Sequence, residues 1–244
     1  MNVLEVGHLW KNFGGVTALA DIGFAVREGE IVGIIGANGA GKTTLFSAIS
    51  GFYPPDKGTI RFRGEDITGM KPFRICRMGI VRTFQVVRPF RNMTVLKNVT
   101  VGKLFGKDRR RHQRDAEREA WSIMELVGLS DKANIPAGEL SLADHKRLEL
   151  ARALTTNPDV LLLDEVLAGL TPAETAEAME IVSKVHKSMG LTILMVEHVM
   201  KAVIGLCERI IVLHYGRIIA EGTPKEIAEN PDVIEAYLGE RFEV

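Results

Sequence analysis

Ile31-Val32-Gly33-Ile34-Ile35-Gly36-Ala37-Asn38-Gly39-Ala40-Gly41-Lys42-Thr43-Thr44 is the stretch that decides the fold. Its first five residues form a short apolar run without polar alternation, as in a strand buried on both faces of a parallel sheet. Gly36 to Thr43 match G-x-x-x-x-G-K-[ST], and Thr44-Leu45-Phe46-Ser47-Ala48-Ile49 continue as a helix. Strand, glycine-rich loop and helix, in that order, are the context the motif requires. Glycines let the backbone curl until its N–H groups face phosphate oxygens, and the helix N-terminus adds the positive end of a dipole. The motif places Lys42 on the β- and γ-phosphates and the Thr43 hydroxyl on Mg²⁺. Asn38, Gly39, Ala40, Gly41 and Thr44 complete the expected contacts to ATP. A plain glycine-rich turn between strand and helix is the alternative, and the matching flanks weigh against it.

Working outward, Val160 to Leu163, Thr192 to Val196 and Ile210 to Leu213 repeat the buried-strand pattern, with helical stretches between them, notably Pro172 to Ser188. That alternation predicts a parallel α/β core. Thr171-Pro172-Ala173-Glu174 opens the long helix with a cap, a proline at the first helical position and a capping box, and Thr223-Pro224-Lys225-Glu226 repeats the device. Near the N-terminus, Leu4, Val6 and Leu9 mark a strand. Ile22, Phe24 and Val26 alternate with polar or small residues, which predicts a half-exposed, antiparallel strand. The middle of the chain differs. Lys107 to Arg118 is dense in charge of both signs, and Ala120 to Val127 reads as an amphipathic helix with Trp121, Met124 and Val127 on one face.

Val160-Leu161-Leu162-Leu163-Asp164-Glu165 is an apolar strand ending in two acids, and ligands bind at strand ends in open α/β sheets. Asp164 suits a Mg²⁺ ion held through its waters, and Glu165 suits polarisation of the attacking water. Two solvated acids at a strand end are the bland alternative; the phosphate loop upstream favours the catalytic one.

Composition limits the remaining possibilities. The 244 residues are 46% hydrophobic and 25% charged, enough to bury a core in a globular chain. Formal net charge is zero, so no long-range attraction to nucleic acid is expected. The two cysteines, Cys76 and Cys207, have no metal-ligand spacing and suit a reducing compartment. No secretory signal is apparent, and no run of about 18 apolar residues would span a membrane.

With both motifs in place, the sequence resembles an ATP-binding-cassette (ABC) ATPase over nearly its whole length. The resemblance implies an α/β fold: a P-loop NTPase (RecA-like) parallel-sheet core, an antiparallel β subdomain and an inserted α-helical subdomain. Residues 1–85 and 150–244 would form the core with its β subdomain, and 86–149 the helical subdomain. It further implies that Gln85, in Val81-Arg82-Thr83-Phe84-Gln85, contacts Mg²⁺ and senses a membrane partner. His198, in Met195-Val196-Glu197-His198, would contact the γ-phosphate. Phe13, with Val16 beside it, would take the adenine, and Ala168-Gly169-Leu170-Thr171 occupies the D-loop position.

One motif departs from the family. The signature L-S-G-G-Q, at a helix start, binds the γ-phosphate held by the opposite subunit. Here the segment is Leu140-Ser141-Leu142-Ala143-Asp144, with the register secured by His145 to Leu154. Ser141 is kept. Ala143 offers its N–H, but its Cβ restricts the backbone and close approach. Asp144 adds negative charge near an anion site, although it suits the helix dipole. The expectation is a weaker or differently shaped contact between subunits. Val166 and Thr171 also replace the proline and aspartate common in the family.

The resemblance implies partners too: permease chains that supply the membrane spans, a second ATPase subunit, homologous or identical, and indirectly a periplasmic or extracellular solute-binding protein. The chain would sit peripherally on the cytoplasmic face of the cell membrane. Val81 to Gln85, Phe90-Arg91-Asn92-Met93-Thr94-Val95, Thr223-Pro224 and Ala236-Tyr237-Leu238-Gly239 resemble the ATPases of branched-chain amino acid importers. A lipopolysaccharide-export ATPase is an alternative, and a soluble ABC ATPase acting on nucleic acid or ribosomes is one of another class. A partner helix is expected near Gln85, with Val86 to Leu96 as its wall, and Arg109-Arg110-Arg111 reads as a solvated face.

Overall fold

The structure is a computed structural model and describes residues 1–84, 88–107 and 113–238. Gln85, the first residues of the Val86–Leu96 wall, Arg109 to Arg111 and Gly239 therefore lie outside the described residues. In chain order the elements are β1 (Asn2–Phe13), β2 (Val16–Arg27), β3 (Ile31–Ile35), α1 (Lys42–Ile49), β4 (Lys57–Phe62), β5 (Glu65–Asp66), α2 (Pro72–Met78), β6 (Ile80–Arg82), α3 (Val95–Phe105), α4 (Gln113–Val127), α5 (Leu142–Leu154), β7 (Val160–Asp164), α6 (Pro172–Met189), β8 (Thr192–Val196), α7 (Met200–Leu206), β9 (Arg209–His214), β10 (Arg217–Gly222), α8 (Pro224–Ala228) and α9 (Pro231–Leu238). Contacts divide the chain into two units, Met1–Pro72 with Leu194–Val244, and Phe73–Ile193. No helix among the described residues is long and apolar enough to cross a membrane.

The first unit holds an antiparallel sheet in the order β2-β1-β4-β5. Leu4 pairs with Val26, Val6 with Phe24 and Leu9 with Ile22, and all six are buried. The alternation of Ile22, Phe24 and Val26 thus gives the antiparallel strand expected of it. The same unit holds β3, whose five residues are all buried, paired in parallel with β9 through Gly33–Ile210, Ile34–Ile211 and Ile35–Val212. Burying each Val, Leu or Ile side chain stabilises the fold by about 1.5–3 kcal/mol, which explains why all of β3 and the buried centre of β9, Ile210 to Leu213, carry no polar side chain. Arg209, at the start of β9, donates to both carboxylate oxygens of Glu30 at 2.7 and 2.9 Å and to Ala25 O at 2.7 Å, tying the entry of β3 to β2.

In the second unit β6 and β7 pair in parallel, and β7 is buried throughout. The fold is α/β, with parallel pairing among the buried core strands and a separate antiparallel sheet. Thr171 and Glu174 form the expected capping box at the start of α6, and Thr223 and Glu226 do the same for α8. The buried stripe of α4 is Ala116, Ala120, Met124 and Val127. Trp121, expected on that stripe, is 40% exposed, because successive steps of four and three carry the stripe past it. Its Nε1 donates instead to Glu125 at 3.0 Å, along the outer face.

Candidate functional site

In the first unit, the loop between β3 and α1 needs its glycines. Gly36 has φ 157°, and a Cβ there would lie 2.3 Å from Leu213 O. Gly41 has φ 104°, and a Cβ would lie 2.6 Å from Ala18 O. Both positions combine a left-handed backbone with close approach to another main chain, which only glycine tolerates. The loop is held from below by Gly216 N–H donating to Ala40 O at 3.0 Å. Asn38, Gly39 and Thr43 are exposed on it, whereas Lys42 is buried. Lys42 Nζ donates to Gly36 O at 2.7 Å and Ala37 O at 3.0 Å, so the ammonium is curled beneath the loop it would serve.

Other expected contacts fall in the same unit. Phe13, at the end of β1, is half exposed, with Tyr53 edge-on at 5.3 Å and Lys11 Nζ 5.5 Å from its ring centre. Val16 is exposed nearby in sequence, and His198 is exposed two residues past the end of β8. An open groove of about 680 Å³, not foreseen from sequence, joins Ala37 to Ala40 of the loop with His214, Tyr215 and, from α9, Asp232 and Glu235.

The carboxylates belong to the second unit. Asp164 is buried at the end of β7, and Arg82 Nη2 donates to its Oδ2 at 2.6 Å. Asp164 N–H donates to Thr83 Oγ1 at 3.1 Å. The next residue, Glu165, turns the chain with φ 51°, a conformation uncommon for any side chain other than Gly, Asn or Asp. Lys146, from α5, donates to Glu165 O at 3.1 Å and so fixes this turn. Also from α5, Glu149 accepts the N–H of Phe84, while its second oxygen is buried without a hydrogen bond. Burial pushes the Glu149 carboxyl above its ordinary value, against the lowering effect of that N–H and of Lys146 and Arg152.

Ser141 caps α5, and Ala143 is buried in its first turn. Asp144 does not present a bare charge, and here the structure corrects the sequence-based expectation. Lys132 Nζ donates to Asp144 Oδ2 at 2.6 Å, and Ser141 Oγ donates to the same oxygen at 2.7 Å. Burial pushes the Asp144 carboxyl up, but these hydrogen bonds and the Lys132 charge outweigh it and hold the group below the usual carboxylate range. Arg82, Thr83, Lys132, Lys146 and Glu149 were given no role by sequence reasoning. Arg82 and Thr83 stand directly before Phe84-Gln85, a signal of position only, and the others become visible only when helix and strand ends are brought together.

The loop's glycine geometry and the strand-end carboxylates define a P-loop ATPase, and the sequence relationships give its class: the chain belongs to the ABC transporter family, whose model matches residues 19–168. A second model, described as branched-chain amino acid ATP-binding cassette transporter, matches residues 217–243. The chain is the ATP-binding, ATP-hydrolysing subunit of an ABC transporter. Its particular relatives include the high-affinity branched-chain amino acid transport ATP-binding protein LivG of Salmonella typhimurium, 45% identical over 98% of both chains. The high-affinity branched-chain amino acid transport ATP-binding protein BraF of Pseudomonas aeruginosa is 42% identical over 98% of both. Among solved structures, a nucleotide-free ATP-binding cassette from an ABC transporter matches with TM-score 0.90 and 33% identity, covering 98% of this chain and 100% of that one. The ADP conformation of MJ1267, an ATP-binding cassette of an ABC transporter, matches with TM-score 0.88 and 34% identity, covering 98% and 100%.

Proposed function

We propose that this chain powers import of branched-chain amino acids or related small solutes through separate permease chains. The observation that carries this reading is 45% identity to a branched-chain amino acid transport ATPase over 98% of both chains. The family match of the C-terminal residues 217–243 supports it independently of the ATPase motifs.

In this reading the loop Gly36 to Thr43 wraps the phosphates with main-chain N–H groups, and Lys42 leaves its loop carbonyls for the β- and γ-phosphates. Phe13 and Val16 take the adenine. Thr43, Asp164 and Gln85 would offer only oxygen donors to a metal, which suits a hard divalent cation. Magnesium, when bound there, would offset the negative charge of the phosphates. Arg82 donates to Oδ2 of Asp164 and so orients the carboxylate. Glu165 orients the attacking water and draws its proton, while His198 holds the γ-phosphate. Ser141 and Ala143 complete the site of a second copy, so two subunits work as a pair.

Permease docking is assigned to the second unit. Phe84, Phe90 and Phe105 are all exposed there. Phe84 and Phe105, with Val101, line a groove of about 230 Å³ that also contains Glu149 and Arg152. Exposed aromatics around a cleft suit the apolar face of a partner helix. Peripheral attachment to the cytoplasmic face of the membrane follows from that docking. The test is affinity purification of the tagged chain from its native membrane. Two permease chains should co-purify, and the complex in vesicles should accumulate leucine, isoleucine or valine when ATP and the binding protein are supplied. Recovery of the chain with ribosomes or nucleic acid instead would overturn the proposal.

A further inference from the structure

The altered signature carries its own compensation. Ser141 Oγ accepts the N–H of Asp144 at 3.2 Å and donates its single proton to Asp144 Oδ2 at 2.7 Å. An ionised carboxylate only accepts, so the direction of that second bond is fixed. Lys132, in the short 3-10 turn Ser130–Lys132 upstream of the signature, donates to the same oxygen at 2.6 Å. Arg147 acts on Asp144 through space, but its guanidinium is ion-paired with Glu177. Among the described residues, Lys132 is the cation in hydrogen-bonding contact with this carboxylate.

We propose that Lys132 is a positioning residue for ATP hydrolysis, holding and neutralising Asp144 so that Ser141 can turn its proton toward the γ-phosphate bound by a second copy. This rests on the reading of Ser141 as the contact between subunits. A hydroxyl has one proton, and here it is committed inward. To meet a phosphate oxygen, Ser141 must withdraw it from Asp144, a carboxylate with a side-chain exposure of only 9%. Because Lys132 shares Oδ2, the carboxylate keeps a charge-assisted partner when that happens. Without Lys132, Asp144 competes for the serine proton and faces the incoming phosphates with an uncompensated negative charge. The family's glutamine at this position carries no charge, so the requirement for a lysine belongs to this altered signature.

The test uses the full chain in a Glu165→Gln background, with dimer formation followed by light scattering as ATP is titrated. Lys132→Met should raise the ATP concentration at half-dimerisation on the order of tenfold, as for loss of one member of a part-buried, hydrogen-bonded charge pair. Lys132→Arg should stay near the parent. Adding Asp144→Gln to Lys132→Met should restore the parent midpoint, since no charge then needs offsetting. A merely structural lysine would not be rescued by changing the charge of its partner. Ser141→Ala serves as the separate control and should itself weaken dimerisation. If Ser141→Ala has no effect, the reading of the signature fails and the proposal falls with it. If Ser141→Ala weakens the dimer but Lys132→Met matches the parent, or is not rescued by Asp144→Gln, the role given to Lys132 alone is wrong.

Discussion

Arg82→Met is the substitution that most sharply tests the second unit. Arg82 and Asp164 form an ion pair at 2.6 Å with side-chain exposures of 6% and 3%. With charge centres about 4 Å apart and an effective dielectric constant of about 20, their attraction is about 4 kcal/mol. Bringing both charges out of water offsets much of that, so the pair as a whole adds little net stability. Removing only the arginine is different. It leaves a buried carboxylate with its desolvation uncompensated, at a cost of about 3–5 kcal/mol. The guanidinium also lies 5.3 Å from the Phe84 ring centre, a smaller contribution lost with it. For a chain of this size each kcal/mol moves the melting temperature by about 2–4 °C, so Arg82→Met should melt about 6–20 °C lower. Calorimetry of the nucleotide-free protein in a metal chelator measures this directly. Asp164→Asn and the double variant complete a mutant cycle, and the double variant should cost less than the sum of the singles by about 0.5–3 kcal/mol. A fall of under about 2 °C for Arg82→Met, or strict additivity in the cycle, would refute the reasoning, because the carboxylate would then not depend on this partner.

Gly36→Ala should abolish nucleotide binding, measured by fluorescent ATP titration, because a Cβ 2.3 Å from Leu213 O forces the loop away from its support. Affinity within about twofold of the parent would contradict the geometry. Glu149→Gln should stabilise the protein at neutral pH. The folded-state carboxyl sits above its ordinary value of 4.5. A raised carboxyl contributes its stability below the unfolded value and loses it as pH rises through the folded one. The advantage of glutamine should therefore be present at pH 7 and vanish on acidification below the ordinary carboxylate range; unfolding curves at both ends check the sign.

Much of this architecture was legible because its signals are local. The short apolar runs at Ile31 and Val160 read as strands buried on both faces, and the glycine pattern from Gly36 pointed to the loop between strand and helix. Caps at Thr171 and Thr223 fixed two helix starts to the residue, since each bond closes within one turn. What escaped were contacts made between elements distant in sequence. Arg82 meets Asp164 across 82 positions, and Phe84 meets Glu149 across 65. Neither pair has a spacing rule that a single sequence could reveal. Asp144 shows the same limit at short range. Read alone it is an acid in an anion site, and only the placement of Lys132 turns it into half of a neutral pair. Trp121 failed for a different reason. The first half of the stripe on α4 is Ala116 and Ala120, small residues that a search for bulky apolar side chains passes over.

The central claim is that two copies of this chain close on ATP and that Glu165 then drives its hydrolysis. Glu165→Gln isolates that step, because it keeps the size and hydrogen-bonding reach of the side chain and removes its basicity. Incubated with ATP and magnesium, this variant should run as a dimer carrying two uncleaved nucleotides, with phosphate release reduced at least 100-fold, on the order of the loss of a general base. Phosphate release at the parent rate from a chain that stays monomeric would contradict the account.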